Sequence, residues 1–171
     1  MSAIIKILFD ICLLRKGPED LPSSFNLMFV LIVVSLLVSI VLGLAIYNYQ
    51  LAVILSIVGL FVTFVFVKIL LINKAERFIQ TFSAMLGTSV LIDVISIPIL
   101  YPLLGEKLDK NLAVLFWLLS IAVYGWFVVI YGFIVSRAIS STLGYGISIA
   151  IGYALVSYMI FDLILSGRAS T

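Results

Sequence analysis

Five apolar stretches, residues 25–46, 51–72, 81–103, 112–135 and 143–165, fill most of this 171-residue chain, and polar side chains are largely confined to the short pieces between them. Each stretch exceeds the about 20 residues that a helix needs to cross about 30 Å of hydrocarbon. Little is left over for a soluble domain. The expected fold is therefore all-α: a polytopic membrane protein whose residues 25–166 form a bundle of five transmembrane helices, with the lipid bilayer as its first partner and residues 167–171 as a tail.

Composition narrows the chemistry. The chain is 64% hydrophobic, well beyond the about 45–50% of globular proteins. Its formal charge of +2 is too small and too scattered for a nucleic-acid surface, which needs basic residues clustered on one face. A single cysteine, Cys12, allows neither an internal disulfide nor a cysteine metal cage. The absence of histidine removes mixed metal sites and histidine-based triads. There is no phosphate-cradling glycine loop and no nucleotide fingerprint. The reading is of a non-enzymatic protein without a cofactor.

Residues 1–17 are expected to be a retained, short amphipathic helix rather than a cleaved leader. Ile4, Ile5, Leu8, Ile11, Cys12 and Leu14 recur at helical spacing, while Lys6 and Asp10 sit four apart on a narrow polar stripe. Such a helix is too short to span, so it lies at the membrane interface or binds a partner. Gly17 is expected to end it as a left-handed cap, with Pro18 blocking continuation. Residues 18–24 form a linker that ends in a serine N-cap for the first span.

Lysine and arginine set the orientation, because loops rich in them stay in the cytoplasm. With the N-terminus inside, Lys6, Arg15, Lys16, Lys68, Lys74, Arg77 and Arg137 are cytoplasmic, against Lys107, Lys110 and Arg168 outside. The N-terminus is therefore expected inside and the C-terminus outside, in a bacterial inner membrane. The link 47–50 is so short that the first two spans must form an antiparallel hairpin. Arg15, Lys16, Glu19, Asp20, Lys74, Arg77 and Arg137 gather on the cytoplasmic rim as candidate contacts for a protein partner.

Between apolar helices in lipid, close approach at small residues takes over from the hydrophobic effect. Ser35, Ser39 and Gly43 recur every fourth residue in the first span, and Ser83 and Gly87 share the third. The fifth carries two such ladders, Gly144, Ser148, Gly152 and Gly146, Ala150, Ala154. They serve either packing within the chain or a seam between copies of it.

The third span is unusual in bearing Asp93 inside an apolar run, followed by Pro98 and Pro102. A carboxyl near the bilayer centre costs about 2.5–3.5 kcal/mol on insertion scales. It should therefore bind a proton or solute, or be satisfied by hydroxyls such as Ser89 or Ser96. Pro98 removes the backbone bond to Val94 and is expected to kink the helix. Asp162, late in the fifth span, lies where water reaches it. A functional centre inside the membrane is expected where the third and fifth spans face each other.

Three runs, Leu13 to Ser24, Arg77 to Thr88, and Trp117 to Arg137 followed by Gly152 to Leu155, together resemble bacterial proteins of the Ypt-interacting-protein (Yip) type. The resemblance covers nearly the whole chain. It implies a compact five-helix membrane domain with a cytoplasmic N-terminus. Eukaryotic relatives bind Rab GTPases and take part in membrane traffic; this sequence departs from them in lacking their long cytoplasmic N-terminal region, and for the bacterial type the resemblance implies no activity. Two functional classes follow: a membrane scaffold or adaptor presenting the basic rim to a protein, and a small-solute or proton-linked transporter centred on Asp93.

Overall fold

The structure, a computed structural model, describes residues 2–104 and 109–169. Lys107, counted above among the outer basic residues, and the last two residues of the tail lie outside the described residues. The described residues form six α-helices and no strand: α1 (Ser2–Cys12), α2 (Phe25–Leu44), α3 (Tyr49–Leu70), α4 (Phe78–Leu100), α5 (Lys110–Ile139) and α6 (Leu143–Ala169). Helices α2 to α6 are each long and apolar enough to cross a membrane. The chain is an integral membrane protein built as an all-α bundle.

Local chemistry sets most helix ends. Ser24 Oγ accepts from Leu27 N at 3.4 Å and Asn48 Oδ1 from Leu51 N at 3.0 Å, so both serve as N-caps. Residues 45–48 are all that separates α2 from α3, giving the expected hairpin. The end of α1 differs from expectation: the helix stops at Cys12, and the left-handed residue is Leu14, with φ 58°. Here the Asp10 carbonyl accepts Arg15 N at 2.8 Å, which closes the helix without glycine. Gly17, at φ −101°, instead precedes a 3-10 turn, Pro18–Asp20, and its N–H donates to Asp20 Oδ2 at 2.9 Å.

Helix α4 is the centre of the fold. Its residues 81–88 are buried without interruption, and a helix with no exposed face needs protein on every side. Helices α1, α2, α3 and α5 supply it. Phe82 sits in an aromatic cluster with Phe64 and Phe78 at centroid distances of 5.4–5.8 Å. The Lys68 ammonium lies 5.1 Å from the Phe78 ring centre, a cation–π geometry. Thr81 and Ser83 are buried with unpartnered hydroxyls, so small size is what they contribute to this crowded stretch. At Gly87 a Cβ would lie 2.5 Å from a Leu8 methyl, so a larger residue there would push the Leu8 side chain aside.

This contact gives α1 two apolar faces. Leu8, Ile11 and Cys12 are buried against the bundle, while Ile5, Phe9 and Leu13, four apart, are exposed on a surface suited to lipid. Trp126 Nε1 of α5 donates to the Cys12 carbonyl at 3.2 Å, fastening the end of α1.

The tightest crossing joins α5 and α6. A Cβ on Gly146 would lie 2.1 Å from the Gly132 carbonyl, and one on Gly132 2.7 Å from Ile147 Cα. Of the two small-residue ladders in α6, Gly146 and Ala150 therefore pack within the chain. Gly144 and Gly152 have nothing within 4 Å of a built Cβ, and Ser148 is exposed. Their expected packing role is corrected accordingly: Gly144, Ser148 and Gly152 look outward, because the three-residue turn 140–142 presents the other face to α5.

Replacing Gly146 with valine should lower thermal stability in detergent by at least about 2 kcal/mol, since neither backbone can yield. Gly144→Ala is expected to leave the melting temperature unchanged. Burial pushes the Cys12 thiol up to about 11. Because the thiolate is the reacting form, maleimide labelling at pH 8 should run about 100-fold slower than at a free cysteine. Gly87→Leu displaces Leu8 and should restore fast labelling; equal rates in both proteins would show that α1 is not held at Gly87.

Candidate functional site

The buried residues gather at the end of the bundle that holds α1. There the chain closes a clasp over the C-terminus of α5, whose last carbonyls have no partner within the helix. Arg77 Nη1 donates to Ala138 O at 3.0 Å, Arg137 O at 3.3 Å and Ser140 Oγ at 3.0 Å. Lys74 Nζ donates to Ile139 O at 2.7 Å and Ser140 Oγ at 3.2 Å. Two cations at this terminus also complement the helix dipole. Ser140, at φ 61°, takes the left-handed position usually given to glycine, and Ser141 N donates to Ser136 O at 2.8 Å to finish the turn.

The remaining rim residues are engaged in the same way. Gln80 Nε2 donates to Leu21 O at 2.7 Å, Glu19 pairs with Arg137, and Lys16 lies 3.7 Å from Asp10. The Glu19–Arg137 pair is half-exposed and worth at most about 1 kcal/mol. Of the side chains expected to face a partner, Asp20, Lys74 and Arg77 are hydrogen-bonded within the fold, while Lys16, Glu19 and Arg137 form partly exposed ion pairs. Arg15 is exposed, and among the described residues its side chain makes no hydrogen bond or ion pair.

The other half of the bundle is looser and polar inside. Asp93 lies about 22 Å along α4 from Phe78 and about 10 Å from Leu100, at about 1.5 Å per residue. It is therefore about 6 Å past the helix midpoint at Ser89, nearer the middle than the far end. Its expected hydrogen bonds are not made: Ser89 Oγ donates to Leu86 O at 2.8 Å and Ser96 Oγ to Ile92 O at 2.7 Å. Each hydroxyl is satisfied by its own helix. Among the described residues the Asp93 carboxyl makes no hydrogen bond or ion pair.

Asp93 lines two cavities. One, of about 220 Å³, is walled by Ser39, Ser96 and Tyr124 together with apolar side chains. The other, of about 190 Å³, adds Ser35, Ser56, Thr63, Ser89, Tyr131 and Tyr153. A third, of about 200 Å³, adjoins both at Ser39. Each is far above the about 10–15 Å³ that one water requires. Ser39 and Ser56 hydroxyls are 3.0 Å apart, and Thr63 Oγ1 lies 2.8 Å from the Tyr153 hydroxyl. Gly43 packs on Ala52, where a Cβ would come within 3.0 Å, so the small-residue ladder of α2 supplies both packing and cavity wall.

Pro98 lies within α4, which continues through it to Leu100 and then tightens into the 3-10 turn Tyr101–Leu104. Asp162 is exposed and lines none of these cavities. Helix α6 meets α4 across the cavity, through Tyr153 and Phe161, and packs chiefly on α5. The larger hollow between α3 and α6, of about 590 Å³, is walled by apolar side chains such as Phe61, Val65 and Val156 and carries no site chemistry.

Ser56, Thr63, Tyr131 and Tyr153 were not singled out from the sequence. One signal points to the first two: Ser56 and Thr63 are seven apart on α3, matching the Ser89–Ser96 spacing around Asp93 on α4, so each helix carries one polar stripe. In comparisons with known proteins, no family model, curated protein or solved structure matches the chain.

Arg77→Ala removes the hydrogen bonds that cap α5 and should cost about 1–2 kcal/mol of stability in detergent, discounted for the exposed geometry. Arg77→Lys should recover only part of it, because an ammonium lacks the guanidinium fork. Full recovery by lysine would reduce the clasp to a simple charge effect.

Proposed function

We propose that this protein is a small-solute or proton-linked permease whose working centre is the Asp93 cavity. The observation that carries this reading is a carboxyl without a partner among the described residues, facing hydroxyl-lined space within a membrane-spanning bundle. A carboxyl in that position is stabilised by taking a proton, water or a positive partner, and exchange between these is what a transport site requires. The packed end around residues 81–88 forms the closed side, and the looser end beside residues 45–48 gives access. By the basic residues the packed end is cytoplasmic. Five helices do not divide into two inverted repeats, so this reading has the protein acting as an oligomer, with the outward ladder Gly144, Ser148 and Gly152 available to a second copy.

The test is Asp93→Asn in proteoliposomes with a pH-sensitive dye inside. Proton flux under an imposed potential should fall at least about tenfold, given that a proton site acts through its titrating group. Unchanged flux would remove the permease reading. An adaptor reading is supported by Arg15, exposed and unpaired among the described residues, next to the exposed stripe Ile5, Phe9 and Leu13. It requires a stoichiometric protein that copurifies with the native chain and is lost in Arg15→Glu.

A further inference from the structure

We infer that the Asp93 cavity takes a small alkylammonium ion, a protonated amine with a short apolar tail. The permease reading supplies what the cavity is for; the ligand class comes from the donors and acceptors on its walls. Four hydroxyls that line the cavities direct their protons to carbonyls of their own helices: Ser56 to Ala52 and Thr63 to Gly59, each at 2.8 Å, with Ser89 and Ser96 as above. The oxygens of Ser56 and Thr63 already meet the Ser39 and Tyr153 hydroxyls, and those of Ser89 and Ser96 keep lone pairs to accept with. With the carboxylate of Asp93 these lone pairs give the space acceptors, beside hydroxyls of Ser39 and Tyr124 that can turn either way. An ammonium group is the complement, with three N–H donors and no acceptor.

Charge selects in the same direction. Among the described residues Asp93 is the only acid that lines the three cavities, and no lysine or arginine lines them. An anion would meet an uncompensated carboxylate, while a cation would relieve the cost of holding that charge within the membrane. A divalent ion prefers six or more oxygen ligands, usually with several carboxylates, and one acid does not supply them. Sodium or potassium could use the same oxygens. However, Leu42, Ile46, Ile92 and Phe127 make the rest of the about 220 Å³ cavity apolar, a wall suited to an alkyl chain and wasted on a bare ion. The Phe127 ring adds a face that favours a cation.

The experiment is calorimetric titration of the purified full-length protein in detergent with propylammonium chloride, against sodium chloride, potassium chloride and 1-propanol at equal concentration. Propylammonium should bind at pH 7.5 and the other three should not. Asp93→Asn should weaken binding at least about tenfold, the loss of one charge-assisted partner. Ser39→Leu fills the wall common to the cavities and should abolish binding while the protein keeps its gel-filtration profile, so the idea stays testable if Asp93→Asn fails to fold. Equal binding of sodium, potassium or propanol, or undiminished binding by a folded Asp93→Asn protein, would overturn the inference. Asp93-dependent proton flux without amine binding overturns this ligand and leaves the permease; amine binding without flux supports the ligand and removes the permease.

Discussion

The enclosure of the first half of α4 is the constraint on which the rest of the structure depends. Lipid offers no hydrophobic gain for bringing helices together, so a helix buried on all sides has to be reached by close packing alone. Residues 81–88 allow it because they alternate bulk with small side chains: Phe82, Met85 and Leu86 fill space, while Ser83, Ala84 and Gly87 let neighbours in. Leu8 rests on Gly87, and this contact converts the N-terminal helix from a surface float into a fourth wall.

The same sequence economy explains the division of the bundle into a dense end and an open one. Toward the α1 end, α4 meets α1, α3 and α5 through apolar side chains and the aromatic cluster around Phe82. Past Thr88 its inward positions become Ser89, Asp93 and Ser96, which are too small or too polar to close the gap. The change from packing to cavity is thus written into a single helix, about two and a half turns before its proline.

Span positions, the α2–α3 hairpin and the Ser24 cap were readable because each follows from hydrophobic length or a local backbone need. The intramembrane acid was readable because a carboxyl in an apolar run is costly wherever it falls. What surrounds it was not, since Ser56, Thr63, Tyr131 and Tyr153 come from three other helices, and only their rotations about their axes bring these hydroxyls together. The α6 ladders show the same limit: two equally spaced rows of small residues are indistinguishable until the turn at Ser140 selects Gly146 over Gly144. The rim charges were correctly located near the helix ends, but sequence carries no sign that Lys74 and Arg77 reach the carbonyls of residues 137–139.

That reach has a mechanical meaning. By tying the α3–α4 connection to the α5–α6 turn, Lys74 and Arg77 lash four helices together at one level. Stiffened there and hollow at the opposite end, the bundle resembles tongs held at the joint. A small tilt about this fulcrum, with α2 and α4 parting from α5 and α6, would change the width of the Asp93 chamber far more than the spacing at the joint.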